Sequence, residues 1–326
     1  AMRRVSVAEF GGVEVLKVES VPIPTPAAGQ VVVKLHACGV NPVDTYIRSG
    51  VYAAKPALPY TPGADGAGVV HAVGEGVGNF KAGDRVWLAG SLTGTYAEFC
   101  TAAVSSVFPL PAQASFAQGA CLNVPACTAY RALFQRGNVR AGEYLLIHGA
   151  SGGVGLAAVQ LAAAAGLFVI GTASTEAGRA KILEFGAKVA LDHSAEGYID
   201  ELGKVTNGHG VDVVLEMLAN VNLGKDCGLL AAGGRVCIIG SRGTVEINPR
   251  DLMAREAQVM GVMLAKTTPE DRQEMVAAIN AAIERGVLTP AVALELPLEE
   301  SPEAHTEVIA RSKGLAGNIV LRCHPE

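Results

Sequence analysis

HGASGGVGLAA, residues 148–158, satisfies two unrelated enzyme signatures at once. Gly149-Ala150-Ser151-Gly152-Gly153 fits the G-x-S-x-G elbow of a serine hydrolase. Ala150, Gly152 and Gly155 instead fall on the G-x-G-x-x-G spacing of a dinucleotide-binding turn, with alanine in first place. Both signatures need a strand before the turn and a helix after it. YLLIH and then LAAVQLAAAAG supply these, so local context does not separate the two.

The hydrolase also needs an acid and then a histidine downstream, for which Asp212 and His305 are the convenient pair, and an HGGG-like oxyanion loop upstream, which the chain lacks. A dinucleotide fold makes a different demand, recognition of the adenine ribose at the end of the next strand, about 20 residues on. There the chain reads GTASTEAGRAK. No carboxylate stands at the strand end to hold a 2′-hydroxyl, whereas Thr172, Ser174, Arg179 and Lys181 offer hydroxyls and cations suited to a 2′-phosphate. The turn is therefore read as a dinucleotide site that takes NADPH in preference to NADH. Ala150 starts the tight turn, Gly152 opens the backbone N–H groups to the pyrophosphate, and Gly155 lets the helix beginning near Val154 pack closely on its strand.

Outward from this turn, apolar strands alternate with helical stretches: 144–148, 167–171, 188–191, 211–217, 235–240 and 259–264, each helix closing on a glycine. Six such steps predict an α/β, doubly wound parallel sheet of the Rossmann type. Residues 1–110 differ, alternating with period two (RRVSVAEF, QVVVKLHACG, AGVVHAVG) between Gly- and Pro-rich turns, which predicts a β-rich lobe. SFAQGACLNVPACTAYRALFQRG reads as helix, and the tail from residue 267 adds two helices and two strands that return to the first lobe.

The 326 residues are 50% hydrophobic and 17% charged, ample for two cores. From Tyr144 to Thr175 there is no Asp, Glu, Lys or Arg, a run long enough for a bilayer, but six glycines divide it into strand, turn, helix and strand. A membrane span is not expected, nor is a secretory signal visible. A net charge of −5 argues against nucleic acid as the main partner. Seven scattered cysteines without a C-x-x-C pair suggest neither a disulfide framework nor a zinc knot, and fit a cytoplasmic protein.

HACGVNPVDTYIRSG, LPYTPGADGAG, FKAGDRV, HGASGGVGLAA, EMLANVNL and GSRGTVEINPRD, spread over essentially the whole chain, resemble the medium-chain dehydrogenase/reductase family, and within it the zeta-crystallin type of NADPH:quinone oxidoreductase. The resemblance implies a GroES-like β-barrel catalytic domain, residues 1–123 and 266–326, and a Rossmann domain, 124–265, with the cofactor in the cleft between them. It implies no metal, because the zinc ligands of related alcohol dehydrogenases correspond to Asn41, Ala64 and Val124, which cannot build a tetrahedral site.

Tyr46, with Asn41 orienting it, then becomes the donor to a developing oxyanion, and a flat, electron-poor carbonyl compound would sit near Tyr46, Asn41, Tyr52 and Leu264. By the same resemblance Ser151, Gly152, Gly153 and Val154 hold the pyrophosphate, and Ser174, Lys181 and His193 the 2′-phosphate. Tyr46, Thr128, Asn222, Ile239, Gly240, Ser241, Arg242, Val262, Met263 and Leu264 lie around the nicotinamide half. A homo-oligomer, dimer or tetramer, is implied too. Two other readings keep the cofactor: an enoyl or enone reductase, which would need a cationic mouth for coenzyme A or carrier phosphates, and an NADPH-binding structural or RNA-binding protein.

Overall fold

The computed structural model describes residues 1–324. The chain forms two compact units, one made of Ala1–Val124 and the segment from Thr289 onward, the other of Pro125–Leu288.

In the second unit the elements alternate as read from the sequence: β1 (Tyr144–Ile147), α1 (Gly153–Ala164), β2 (Phe168–Thr172), α2 (Glu176–Glu184), β3 (Val189–Leu191), α3 (Tyr198–Val205), β4 (Val211–Glu216), α4 (Ala219–Leu229), β5 (Leu230–Ile238), α5 (Pro249–Met253) and β6 (Gln258–Gly261). All six strands are parallel, in the order 3-2-1-4-5-6. The charge-free run is thus a buried strand, helix and strand, and no helix among the described residues is long and apolar enough to cross a membrane. Leu145, Leu146, Ile147, Val169, Ile170, Val213, Val214 and Leu215 are fully buried, as strands covered on both faces must be.

Three details depart from the sequence reading. Helices α1, α2 and α3 end at left-handed Gly166, Gly186 and Gly208, but α4 passes directly into β5, whose first residues LAAGG look helical in sequence. The last strand stops at Gly261 rather than running to 264; Leu264–Lys266 forms a short turn of 3₁₀ helix. The helix Pro269–Glu284 belongs to the second unit, so residues 266–288 leave the first domain to which they were assigned. Arg131 and Gln135 hold it through Asp271, at 3.1 and 2.8 Å, and Tyr130 bonds Glu274.

The first unit is built on a seven-stranded sheet in which Gln30–Val40 is central, pairing antiparallel with Asp65–Val73, Phe99–Ala103 and the C-terminal strand Asn318–Arg322. From Thr289 the tail therefore returns to the first lobe, while its first helix stays with the second unit. Its core is Val31, Val33, Leu35, Val86, Leu88, Tyr96, Ile319 and Leu321. All seven cysteines of the chain are buried free thiols.

Candidate active site and dinucleotide-binding turn

Strands β1 and β4 are neighbours, and the sheet reverses its winding between them. In open α/β sheets ligands bind beyond the strand ends at such a point. The turn after β1 places its left-handed residue at Gly149 (φ +56°), one place before the pattern begins. Ala150 has ordinary backbone and is fully buried, which is why alanine serves where the pattern has glycine. Thr172 at the end of β2 ties the turn down: its hydroxyl accepts from Gly149 N at 3.2 Å and its carbonyl from Ala150 N at 2.9 Å. Gly152 caps α1. A Cβ on Gly155 would lie 2.6 Å from the Ala150 backbone, so only glycine lets α1 approach so closely. The first N–H groups of α1, at Gly153 and Val154, have no partner within the helix and are the ones a diphosphate would take.

At the end of β2, Thr175 caps α2 and the Arg179 guanidinium folds back over the strand end. Its Nη1 donates to the carbonyls of Ala173 and Ser174 and pairs with Asp192, each at 3.1 Å. Arg179 thereby joins Ser174 to the loop that carries His193. Burial, followed by the charge of His148, lowers the His193 pKa. Lys181 turns elsewhere, pairing with Glu184 at 2.9 Å and lying over the Phe185 ring. The sequence reading weighed Arg179 and Lys181 together; in the structure Arg179 holds the strand end.

The nicotinamide-half candidates fall on adjacent strand ends. Ile239 N and Gly240 N both donate to the Glu216 carbonyl, Val262 N to that of Ile238, and Arg242 N to Asn220 Oδ1. Ile239, Gly240, Ser241, Val262 and Met263 line a cavity of about 580 Å³ together with Arg131, Arg136 and Lys266. Asn222 lies on the first turn of α4 and donates to Glu216 Oε1 at 3.1 Å. Leu264 opens the 3₁₀ turn just beyond the cavity, and Thr128 is buried in the helix Thr128–Tyr130.

In the first unit Tyr46 stands on the helix Pro42–Arg48, half-buried. Asn41 is its N-cap, with Asp44 Oδ2 accepting from Asn41 N at 2.8 Å. The Asn41 amide does not face outward, as expected of an orienting group. Its Nδ2 donates to Asp65 Oδ2 at 2.9 Å, while Asn123 Nδ2 (2.8 Å) and Val124 N (3.1 Å) supply Oδ1. Burial pushes Asp65 up to about 6 against these hydrogen bonds. Asn41, Ala64 and Val124 present no thiolate or imidazole, and the carboxylates beside them, Asp65 and Asp44, already accept from N–H and O–H donors of the chain, so this donor set does not fit zinc.

A buried chain fastens the same helix at both ends. Arg48 Nη1 donates to His305 Nδ1 (3.2 Å), which leaves His305 Nε2–H to donate to Tyr96 Oη (3.1 Å) and Tyr96 O–H to donate to Asp44 Oδ2 (3.2 Å). Burial, then the Arg48 charge, lowers His305 to about 3; burial raises Asp44 to about 7. His305 is thus spent here, while Asp212 accepts from Tyr144 N and His209, so the hydrolase pair does not exist. Sequence reasoning missed Asp65, Asp44 and Tyr96. Asp65 sat inside TPGADGAG, which reads only as a turn.

Fold and sites together define a two-unit reductase with a dinucleotide turn on one unit and a tyrosine-bearing helix on the other. Family models for the zinc-binding dehydrogenases match residues 153–281, and for the alcohol dehydrogenase GroES-like domain residues 27–112. A quinone oxidoreductase of Homo sapiens is 51% identical over 321 residues, covering 98% of this chain and 97% of that one. Among solved structures, Escherichia coli quinone oxidoreductase complexed with NADPH superposes with a TM-score of 0.90 at 31% identity, covering 98% and 99% of the two chains. An NAD-dependent alcohol dehydrogenase reaches 0.91 at 30% identity, covering 98% and 99%. The chain belongs to the quinone oxidoreductase family of medium-chain dehydrogenases/reductases.

Proposed function

We propose that the protein is an NADPH-dependent quinone reductase. The observation that carries this reading is the strand end at Ser174, where the Arg179 guanidinium lies against the Ala173 and Ser174 carbonyls and is held there by Asp192, while residues 173–175 carry no carboxylate of their own and the first acid, Glu176, begins α2. NADPH, when bound, supplies the reducing equivalents from nicotinamide C4. Gly153 and Val154 hold the diphosphate by their N–H groups, and Ser174, Arg179 and His193 receive the 2′-phosphate. The cavity walls at Ile239–Ser241 and Val262–Met263 exclude water from the nicotinamide half. The Tyr46 phenol donates to the acceptor oxygen as negative charge grows on it. Asn41 serves by fixing the N-terminus of the Tyr46 helix through Asp65 and Asp44.

Paired titrations with NADPH and NADH, followed by turnover with 1,2- and 1,4-quinones, test this reading. Tighter binding of NADPH and quinone-dependent oxidation are expected; equal binding of both coenzymes, or no acceptor reduced, defeats it. One observation favours the enone or enoyl-thioester reading, the cations Arg136 and Lys266 beside the cavity, since Arg131 is already paired with Asp271. A panel of enones and enoyl thioesters against quinones separates the two. We place the protein in the cytoplasm as a homo-oligomer, a dimer or tetramer. Strand β6, which among the described residues ends its sheet unpaired on one side, is suited to join two copies, and sedimentation measures the state.

A further inference from the structure

His148 directly follows β1, Glu216 closes β4, and Asp226 reaches them from α4, so three ionisable side chains meet beneath the strand ends where the sheet reverses its winding. They are 3%, 0% and 0% exposed, and their ligand-type atoms lie within 4.8 Å of one another. His148 Nε2 is 2.7 Å from Asp226 Oδ1 and 3.4 Å from Glu216 Oε2. Glu216 Oε1 accepts from Leu218 N and from Asn222 Nδ2 at 3.1 Å. Two buried oxygens, Glu216 Oε2 and Asp226 Oδ2, have no donor.

Two bare carboxylates side by side in a closed interior repel one another and leave both oxygens unsatisfied. A metal ion would relieve that, but two atoms bound to one metal at about 2.0–2.1 Å stand well over 3 Å apart in tetrahedral geometry. The 2.7 Å from His148 to Asp226 is a hydrogen bond instead. One proton held between the carboxyl groups satisfies both oxygens and leaves a single negative charge for His148 Nε2–H to meet.

We propose that Glu216 and Asp226 share one proton and, with His148, act as positioning residues for the dinucleotide, fixing the glycine turn and Asn222 in the arrangement that binds NADPH. The inference rests on the cofactor reading above. Burial raises Glu216 to about 7 and Asp226 to about 6, and burial also lowers the pKa of His148. The other charged or titratable groups facing the cluster are Lys225, Tyr198 and His193. As pH rises through 7 the shared proton leaves, the two charges part, and the turn loosens.

The test is direct fluorescence titration of NADPH from pH 5.5 to 8.5 with wild type, Glu216→Gln and Glu216→Leu, with kcat measured in parallel. Glu216→Gln carries a permanent N–H where the proton sits. Its affinity relative to wild type should improve about tenfold or more between pH 6 and 8.5, the equivalent of one buried hydrogen bond. Titration of the 2′-phosphate and of His193 is common to both proteins and cancels in that ratio. Glu216→Leu should weaken NADPH at least tenfold, with a smaller effect on kcat, and Glu216→Gln should recover most of that loss. Parallel pH profiles for wild type and Glu216→Gln overturn the proposal, as does Glu216→Leu binding NADPH like wild type, or one equivalent of metal in purified protein. If Glu216→Leu does not fold, the wild-type and Glu216→Gln profiles decide alone. A wild type that binds no NADPH at any pH overturns this inference and the cofactor reading together, whereas variants that match a binding wild type overturn the inference only.

Discussion

Asn41 Nδ2 and Asp65 Oδ2 lie 2.9 Å apart, and this bond joins the N-cap of the Tyr46 helix to the start of the strand Asp65–Val73, which is paired on both sides in the first unit's sheet. Removing the carboxylate strands three buried donors, those of Asn41, Asn123 and Val124. Asp65→Ala is expected to lower stability by roughly 3 kcal/mol, measured by urea unfolding. Added zinc should restore none of it, because the surrounding groups are donors.

Asp44 gives a pH-dependent counterpart. Its folded pKa, about 7, lies above the ordinary 3.8, so the folded chain holds a proton that the unfolded chain releases. The associated stability is fully present below about pH 4 and is lost as pH rises through 7. Comparing wild type with Asp44→Asn across pH 4–8, the difference should shift toward the variant with rising pH, by up to about 4 kcal/mol. A difference that stays constant means that Asp44 ionises freely.

Tyr46→Phe removes the donor and keeps the ring. A fall in kcat of about 10²-fold with little change in NADPH affinity is expected from the loss of a group that assists proton transfer. Steady-state kinetics at saturating NADPH measure it, and unchanged kcat reduces Tyr46 to a packing residue.

Coenzyme preference should rest on Arg179 more than on Lys181. Arg179 lies against the Ala173 and Ser174 carbonyls, whereas Lys181 is paired along its own helix with Glu184. Arg179→Ala should reduce the NADPH-over-NADH ratio of kcat/KM by about tenfold or more, and Lys181→Ala by clearly less. The reverse ranking assigns the 2′-phosphate to Lys181.

The parallel sheet and its turn were legible because their signals are local. Glycine at 149, 152 and 155 between an apolar strand and an apolar helix leaves few folds open, and the order of six strands follows from the handedness of βαβ units. Boundaries failed where composition misleads. Leu230, Ala231 and Ala232 are helix-forming residues yet lie in β5, where Leu230 pairs with Val211 of β4 and regular pairing resumes at Arg235 after a bulge. The helical stretch after Ser115 was seen, but not its wide π-type turns at Leu122–Cys127 and Arg131–Arg136, which have no sequence signature. The polar networks were invisible for another reason. Asp44, Tyr96 and His305 are separated by scores of residues, as His148 is from Glu216 and Asp226, and no spacing rule joins them.

The seven cysteines are all interior, and burial holds the thiols of Cys38, Cys100, Cys121, Cys227 and Cys237 above their usual pKa, hence protonated. Quinones are electrophiles that add to thiolates, and only the ionised sulfur attacks them. An enzyme that works on such compounds thus offers them no exposed thiol, and the fold that hides its sulfur shields those side chains from its own acceptor.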